Sequence, residues 1–185
     1  MTNKIPMSAV LLLSFGLMAC TSNPEKQRSA GTIIDDNVLE IVINREIRAA
    51  DEDYKGAHIV VTVYDGLVLL LGQVASEELK SLATETTEGL SKVDAGSVHN
   101  HLTVEGPISL LARTNDSVLS GKVKTRLLAE KSVPGTKIKV KTQNAIIYLL
   151  GKITEEQADA AVVATQKSFG VRKIVKVFDY VESAE

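Results

Sequence analysis

The sequence predicts an α+β protein in which one small αββαβ module is used twice, behind a targeting segment. Three observations carry that prediction. Apolar residues recur every fourth position at Leu39, Ile43 and Ile47, and again at Leu119, Val123 and Leu127, which is the stripe of a helix packed on one side. Two apolar, β-branched runs meet at Asp65-Gly66, a strong hairpin signal, and a related pair meets at Asn144-Ala145. The blocks that carry these signals also repeat. Asp36-Asn37-Val38-Leu39 matches Asp116-Ser117-Val118-Leu119 at an offset of 80, and Leu70-Leu71-Gly72-Gln73-Val74 matches Leu149-Leu150-Gly151-Lys152-Ile153 at an offset of 79. Self-similarity at a nearly fixed spacing means a duplicated unit.

Each copy reads in the same order. The striped helix comes first. The hairpin follows, with strands over 59–63 and 67–74 in the first copy. In the second copy Ile138, Val140 and Thr142 alternate with Lys137, Lys139 and Lys141, so one strand face is expected to be buried and the other wet. A second helix then runs from Ser76 to about Leu90, and from Thr154 to about Phe169. Thr154-Glu155-Glu156-Gln157 has the form of a capping box at its start. A last strand, 97–104 or 173–181, completes a three-stranded mixed sheet, and two helices on one face of that sheet bury one core per copy. Gly66, Gly72, Gly151 and Gly170 stand at turns and strand positions where a structural glycine is expected. The second hairpin lacks the turn glycine of the first.

Residues 1–19 read as a signal peptide. Lys4 gives a positive start, and the apolar stretch from Ala9 to Ala19 is too short to span a bilayer core of about 30 Å as a helix. The stretch ends at Leu17-Met18-Ala19-Cys20, which resembles the lipobox of bacterial lipoproteins. That resemblance implies cleavage before Cys20 and acylation of its thiol and amine, several acyl chains on one residue. Each buried CH₂ contributes about 0.8 kcal/mol to such an anchor. Thr21 after the cysteine implies the outer membrane, because Asp at that place favours the inner one. Residues 20–34 then form the lipidated N-terminus and a polar tether.

Composition excludes much. With 44% hydrophobic and 24% charged residues the chain folds rather than staying disordered. A net charge of −2, no Trp and only seven Tyr and Phe leave neither a basic field nor a stacking platform for nucleic acid. Cys20 is the single cysteine, so there is no internal disulfide and no Cys-based zinc site. No G-x-S-x-G, H-E-x-x-H, Walker loop or C-x-x-C occurs, and no catalytic residue, cofactor or metal is expected. His99 and His101 share a strand face; metal binding is the sharper reading and solvent-facing histidines the plainer one. Glu77-Glu78 and Glu155-Glu156 fall in first helical turns, where negative charge complements the helix dipole. An RNA-binding KH module would need a G-x-x-G loop, and no two glycines are spaced that way.

The segments "DGLVLLLGQV" and "NAIIYLLGKI", the early helix, the second helix and the Gly170-Val171 turn together resemble the BON domain family. The resemblance covers 35–105 (BON domain 1) and 115–182 (BON domain 2), joined by a linker over 106–114. A lipobox followed by two such copies is similar to the dual-BON outer-membrane lipoproteins. This implies a lipid anchor facing the periplasm, a role in envelope integrity and enrichment at the division site.

The two copies differ in charge. Residues 31–114 hold six basic and fourteen acidic residues, a net −8; residues 115–185 hold twelve and eight, a net +4. Such asymmetry points the second copy at an anionic surface. On a wheel, the first helix of that copy carries Val118, Gly121, Thr125 and Leu128 opposite its core stripe, with Lys122 and Arg126 on one edge and Lys124 on the other. A small apolar face edged by long cations suits a headgroup layer. In the first copy Val42 and Glu46 replace Lys122 and Arg126. Family resemblance implies the same helix as a phospholipid site, with phosphatidylglycerol and cardiolipin as the anionic lipids. Two rivals stand beside this reading: an adaptor for envelope proteins, such as the outer-membrane protein assembly machinery or regulators of peptidoglycan amidases, and a periplasmic stress chaperone. A large exposed apolar patch would favour the adaptor.

Overall fold

The computed structural model describes residues 28–94, 96–106 and 110–182. The expectations for the signal segment and Cys20 fall outside the described residues. The first copy consists of α1 (Ala30–Ala50), β1 (His58–Tyr64), β2 (Leu67–Val74), α2 (Glu77–Glu88) and β3 (Val98–Val104). The second repeats it as α3 (Leu110–Ala129), β4 (Ile138–Gln143), β5 (Ile146–Ile153), α4 (Glu155–Gln166) and β6 (Lys173–Tyr180). In each sheet the middle strand pairs antiparallel with the first and parallel with the last, giving the mixed orders β1-β2-β3 and β4-β5-β6. Both first helices start earlier than the domain boundaries suggest. For α1 the reason is local: the Ser29 hydroxyl caps the helix by accepting from the Thr32 amide.

The repeat is kept where the fold needs it. Ser76 and Thr154 cap α2 and α4, and at α4 both halves of the capping box form, Gln157 N–H to Thr154 Oγ1 at 3.3 Å and Thr154 N–H to Gln157 Oε1 at 3.1 Å. Buried Thr87 and Thr165 satisfy their hydroxyls on the carbonyls of Ala83 and Ala161, one turn back, each at 2.7 Å. Buried Asp36 and Asp116 tie each first helix to its hairpin. Asp36 accepts from the Asp65 amide at 2.9 Å, and Asp116 accepts from the Asn144 and Ala145 amides at 2.7 and 2.9 Å. Gly72 (φ +132°) crosses the start of β1 so closely that an added Cβ would lie 1.7 Å from the His58 carbonyl oxygen.

Each copy has its own core. In the first, Ile43 and Ile47 of α1 and Leu79 and Ala83 of α2 cover Val61, Val63, Val68 and Leu70. In the second, Leu119, Val123 and Leu127 lie with Ala158, Ala161 and Ala164 over Ile147 and Leu149. Strand alternation sends the intervening residues to the other side of each sheet. There Tyr64, Leu69 and Leu71 of one sheet meet Tyr148, Leu150 and Val177 of the other in a third apolar cluster. The two domains are therefore joined back to back, sheet on sheet, with their helices on the two outer faces.

This junction corrects two expectations. The lysine face of β4 is not wet. Lys139 Nζ donates to Glu40 Oε1 at 2.7 Å and to the Val63 carbonyl at 3.0 Å, and burial, then the neighbouring Lys139, pushes the Lys141 amine down. Nor do His99 and His101 face solvent. They flank Leu69 and Leu71 on the junction face, and the His101 ring lies 5.1 Å from that of Tyr148. Tyr64 Oη to the Lys137 carbonyl at 2.5 Å and Gln143 Nε2 to the Gly72 carbonyl at 3.2 Å complete the contacts.

Two predictions follow from these observations. The β4–β5 turn holds Asn144 and Ala145 at φ +50° and +60°, as Asp65 and Gly66 hold the first turn at +50° and +89°. An L-residue in that region costs about 1–2 kcal/mol, partly offset by the freedom a glycine regains when unfolded. Ala145→Gly is expected to stabilise the chain by about 0.5–1 kcal/mol, read as a raised thermal midpoint; a lowered midpoint would refute the strain. The second concerns acid. Burial pushes His99 and His101 below the ordinary histidine value, and for His101 the charges of His99, Lys173 and Lys80 add to it. Below about pH 6.5 the unfolded chain therefore takes up protons that the folded chain refuses, and stability falls with pH. Denaturant midpoints compared at about pH 7.5 and about pH 5.5 should show this loss. The variant His99→Gln/His101→Gln should lose less; an equal loss would clear these two residues of the effect.

Candidate functional site

The outer face of α3 is built from the inside out. Asp116 fixes the helix to the β4–β5 turn, and Ser120 Oγ donates to Thr142 Oγ1 at 2.7 Å. Leu119, Val123 and Leu127 anchor the core side. What is left faces outward. Val118 and Leu128 are each 53% exposed, and Gly121 opens onto empty space. Thr125 is exposed, with its hydroxyl donating to the Gly121 carbonyl at 3.0 Å. Lys122 and Arg126 are exposed, and among the described residues their side chains make no ion pair or hydrogen bond. Six of the seven residues expected on this face therefore share it.

Lys124 is the exception. Its Nζ donates to the carbonyls of Gly135 and Ile138, both at 2.6 Å, and burial pushes its amine down. A charged amine so placed satisfies the backbone of the turn between α3 and β4. It is a structural cation, and it leaves the set of residues free to meet a ligand.

One neighbour of this face was not singled out in the sequence. Phe169, in the turn between α4 and β6, is 96% exposed. It stands between two shallow depressions, one lined by Lys122, Thr125, Arg126 and Lys167, the other by Asn115, Val118 and Lys122. The available signal was an apolar residue immediately before a turn glycine, beyond the last helical turn. The sequence places it at about the end of the second helix, whereas α4 stops at Gln166 and leaves Phe169 in the turn beyond.

The corresponding face of α1 is apolar without free cations. Ile34 and Ile41 are 61% and 70% exposed, with Ile33 and Val38 beside them, and Glu46, where α3 has Arg126, is paired with Arg45 at 2.6 Å. The acidic pairs lie in the first turns of α2 and α4, directly after the capping residues Ser76 and Thr154. Glu78 and Glu156 are held below the usual carboxylate range by their own backbone amides and by Ser76 and Thr154. Among the described residues no group of three or more His, Cys, Asp or Glu could hold a metal ion, and no helix is long and apolar enough to cross a membrane.

Comparison with known proteins places this geometry. The BON domain model matches residues 35–106 and 115–182. The chain is 35% identical over 155 residues to "Outer membrane lipoprotein DolP" of Haemophilus influenzae, covering 84% of this chain and 79% of that one. It is 35% identical over 165 residues to a protein called "21 kDa hemolysin" of Actinobacillus pleuropneumoniae, covering 87% and 82%. A more distant similarity, 26% over 148 residues, links it to "Osmotically-inducible protein Y" of Escherichia coli, covering 78% and 72%. With two matched modules spanning most of its length, packed as two αββαβ units, the chain belongs to the BON domain family as a tandem, dual-BON protein.

Proposed function

We propose that the chain is a non-enzymatic, lipid-anchored protein of the outer membrane, facing the periplasm, and that its second domain binds anionic phospholipid through α3. The single observation that carries the lipid reading is the pair Lys122 and Arg126. They are exposed, without partners among the described residues, and edge a helix face on which Val118 and Leu128 are half exposed. Phosphatidylglycerol and cardiolipin supply the phosphates such cations meet, while short apolar side chains reach the acyl boundary. The net +4 of this half of the chain adds long-range attraction. Support for the anchor comes from Leu17-Met18-Ala19-Cys20 and from the name of the Haemophilus relative. Envelope integrity, and enrichment at the division site, are the roles proposed for this arrangement.

A second reading, an adaptor for envelope proteins, is favoured by one observation: the exposed Ile33, Ile34, Val38 and Ile41 on α1. This apolar stripe lies in the acidic half of the chain, where anionic lipid is repelled.

Two measurements test the proposal. The chain from Thr21 onward keeps every described contact, so its binding to vesicles reports the surface alone. Each basic residue at an anionic surface is worth about 1 kcal/mol, so Lys122→Glu/Arg126→Glu should remove about 2 kcal/mol of attraction, add repulsion, and weaken binding to phosphatidylglycerol vesicles by well over about tenfold. Wild-type binding should fall with salt. A folded double variant that binds as tightly as wild type would remove α3 as the lipid site and promote the adaptor. For the anchor, Cys20→Ser in cells should abolish salt-resistant fractionation with the outer membrane; unchanged fractionation would refute acylation at Cys20.

A further inference from the structure

Scattered apolar residues on a surface are normal, so exposure alone says little about Phe169. Its surroundings say more. The side chain is 96% exposed at the tip of a tight turn, directly before Gly170, whose φ of +98° sets the reversal into β6. The base of the turn is fixed: Ser168 is buried, and its amide donates to the Thr165 carbonyl at 2.9 Å. The ring is thus carried outward on a rigid support. Around it stand Lys122 and Arg126 of α3 and Lys167 of its own turn, all exposed and all without partners among the described residues. Val118 borders it on the other side.

We propose that Phe169 is an inserting anchor of this surface: an aromatic prong inside a collar of three cations that enters the headgroup layer of an anionic bilayer. The inference rests on the phospholipid reading of α3 and adds to it a residue on a different element. Two features favour a bilayer over an acidic protein partner. The ring is 96% exposed and, with the half-exposed Val118, makes a small apolar tip rimmed by cations, a shape that matches the apolar boundary just below a layer of phosphates. The long cations around it can keep their charges at phosphate level while the ring passes below them.

The chain contains no tryptophan, so Phe169→Trp places a single fluorescent reporter at this point. In the chain from Thr21 onward, its emission should shift to the blue and be quenched by brominated acyl chains in vesicles containing phosphatidylglycerol, and stay unchanged with phosphatidylcholine alone. Phe169→Ser should keep the wild-type thermal midpoint, because the side chain touches little, and weaken binding to the same vesicles by roughly tenfold, the effect of withdrawing a largely buried aromatic. If the Trp variant co-sediments with phosphatidylglycerol vesicles but its emission neither shifts nor is quenched, or if the Ser variant binds like wild type, insertion is refuted while lipid binding by α3 stands. If wild-type chain does not co-sediment at all, the lipid reading falls and the anchor with it. A shift on adding an acidic peptide, with none on vesicles, would reassign the surface to a protein partner.

Discussion

The apolar layer between the two sheets is the constraint on which the rest of the structure depends. Leu69, Leu71, Leu150 and Val177 are at most 2% exposed there, although none of them touches a helix core. A three-stranded sheet with helices on one face has a second face to cover, and water is the usual cover in antiparallel sheets. Here each domain covers the other. Burial on both faces explains why the middle strands are apolar at every position from Val68 to Leu71 and from Ile147 to Leu150. It also fixes polarity at the rim: Lys139 reaches Glu40 on α1 because the β4 lysines have nowhere else to point. With the sheet faces occupied by each other, the outer helical faces, the turns and the strand edges of the described residues are left for partners.

Much of this was legible in the sequence, and the misses have physical reasons. The order αββαβ, the hairpins, the caps and the core stripes follow from local periodicity and turn chemistry, which act over a few residues. The junction does not. Lys137, Lys139 and Lys141 alternate with apolar residues just as a solvated strand face would, because a lysine stem packs against apolar surface while its amine finds a carboxylate or carbonyl across the gap. The better clue lay next door, in the unbroken apolar run of each middle strand, which marks a strand covered on both sides. On α3 the wheel placed six of seven face residues together. It could not show that Lys124 would turn to the carbonyls of Gly135 and Ile138, since those lie off the helix, in the following connection and at the first residue of β4. Phe169 was missed for the same reason: its neighbours Lys122 and Arg126 are more than forty residues away in sequence.

Comparing the copies separates what the fold requires from what differs by use. Asp36 and Asp116, Thr87 and Thr165, and Gly72 and Gly151 hold equivalent places, and each satisfies a backbone group or permits a close approach. Divergence is concentrated on the outer helix faces. Where α3 has Lys122 and Arg126, α1 has Val42 and Glu46; where the second domain projects Phe169, the first has Leu90-Ser91 in a partly buried turn. One scaffold thus carries two different surfaces.

Their placement limits how they act together. Because the sheets pack back to back, the helices of the two domains look in opposite directions, and one flat bilayer can lie against only one helical layer at a time. Charge decides between them. A net +4 on the second half is attracted to anionic headgroups, and a net −8 on the first is repelled by them. In the arrangement proposed for α3, the α1 stripe of Ile34, Val38 and Ile41 is therefore turned away from the bilayer that holds the anchor. An apolar stripe at that position is useless for the same membrane and available to something on the other side. Under the lipid reading proposed for α3, the adaptor reading concerns the outer face of the first domain alone.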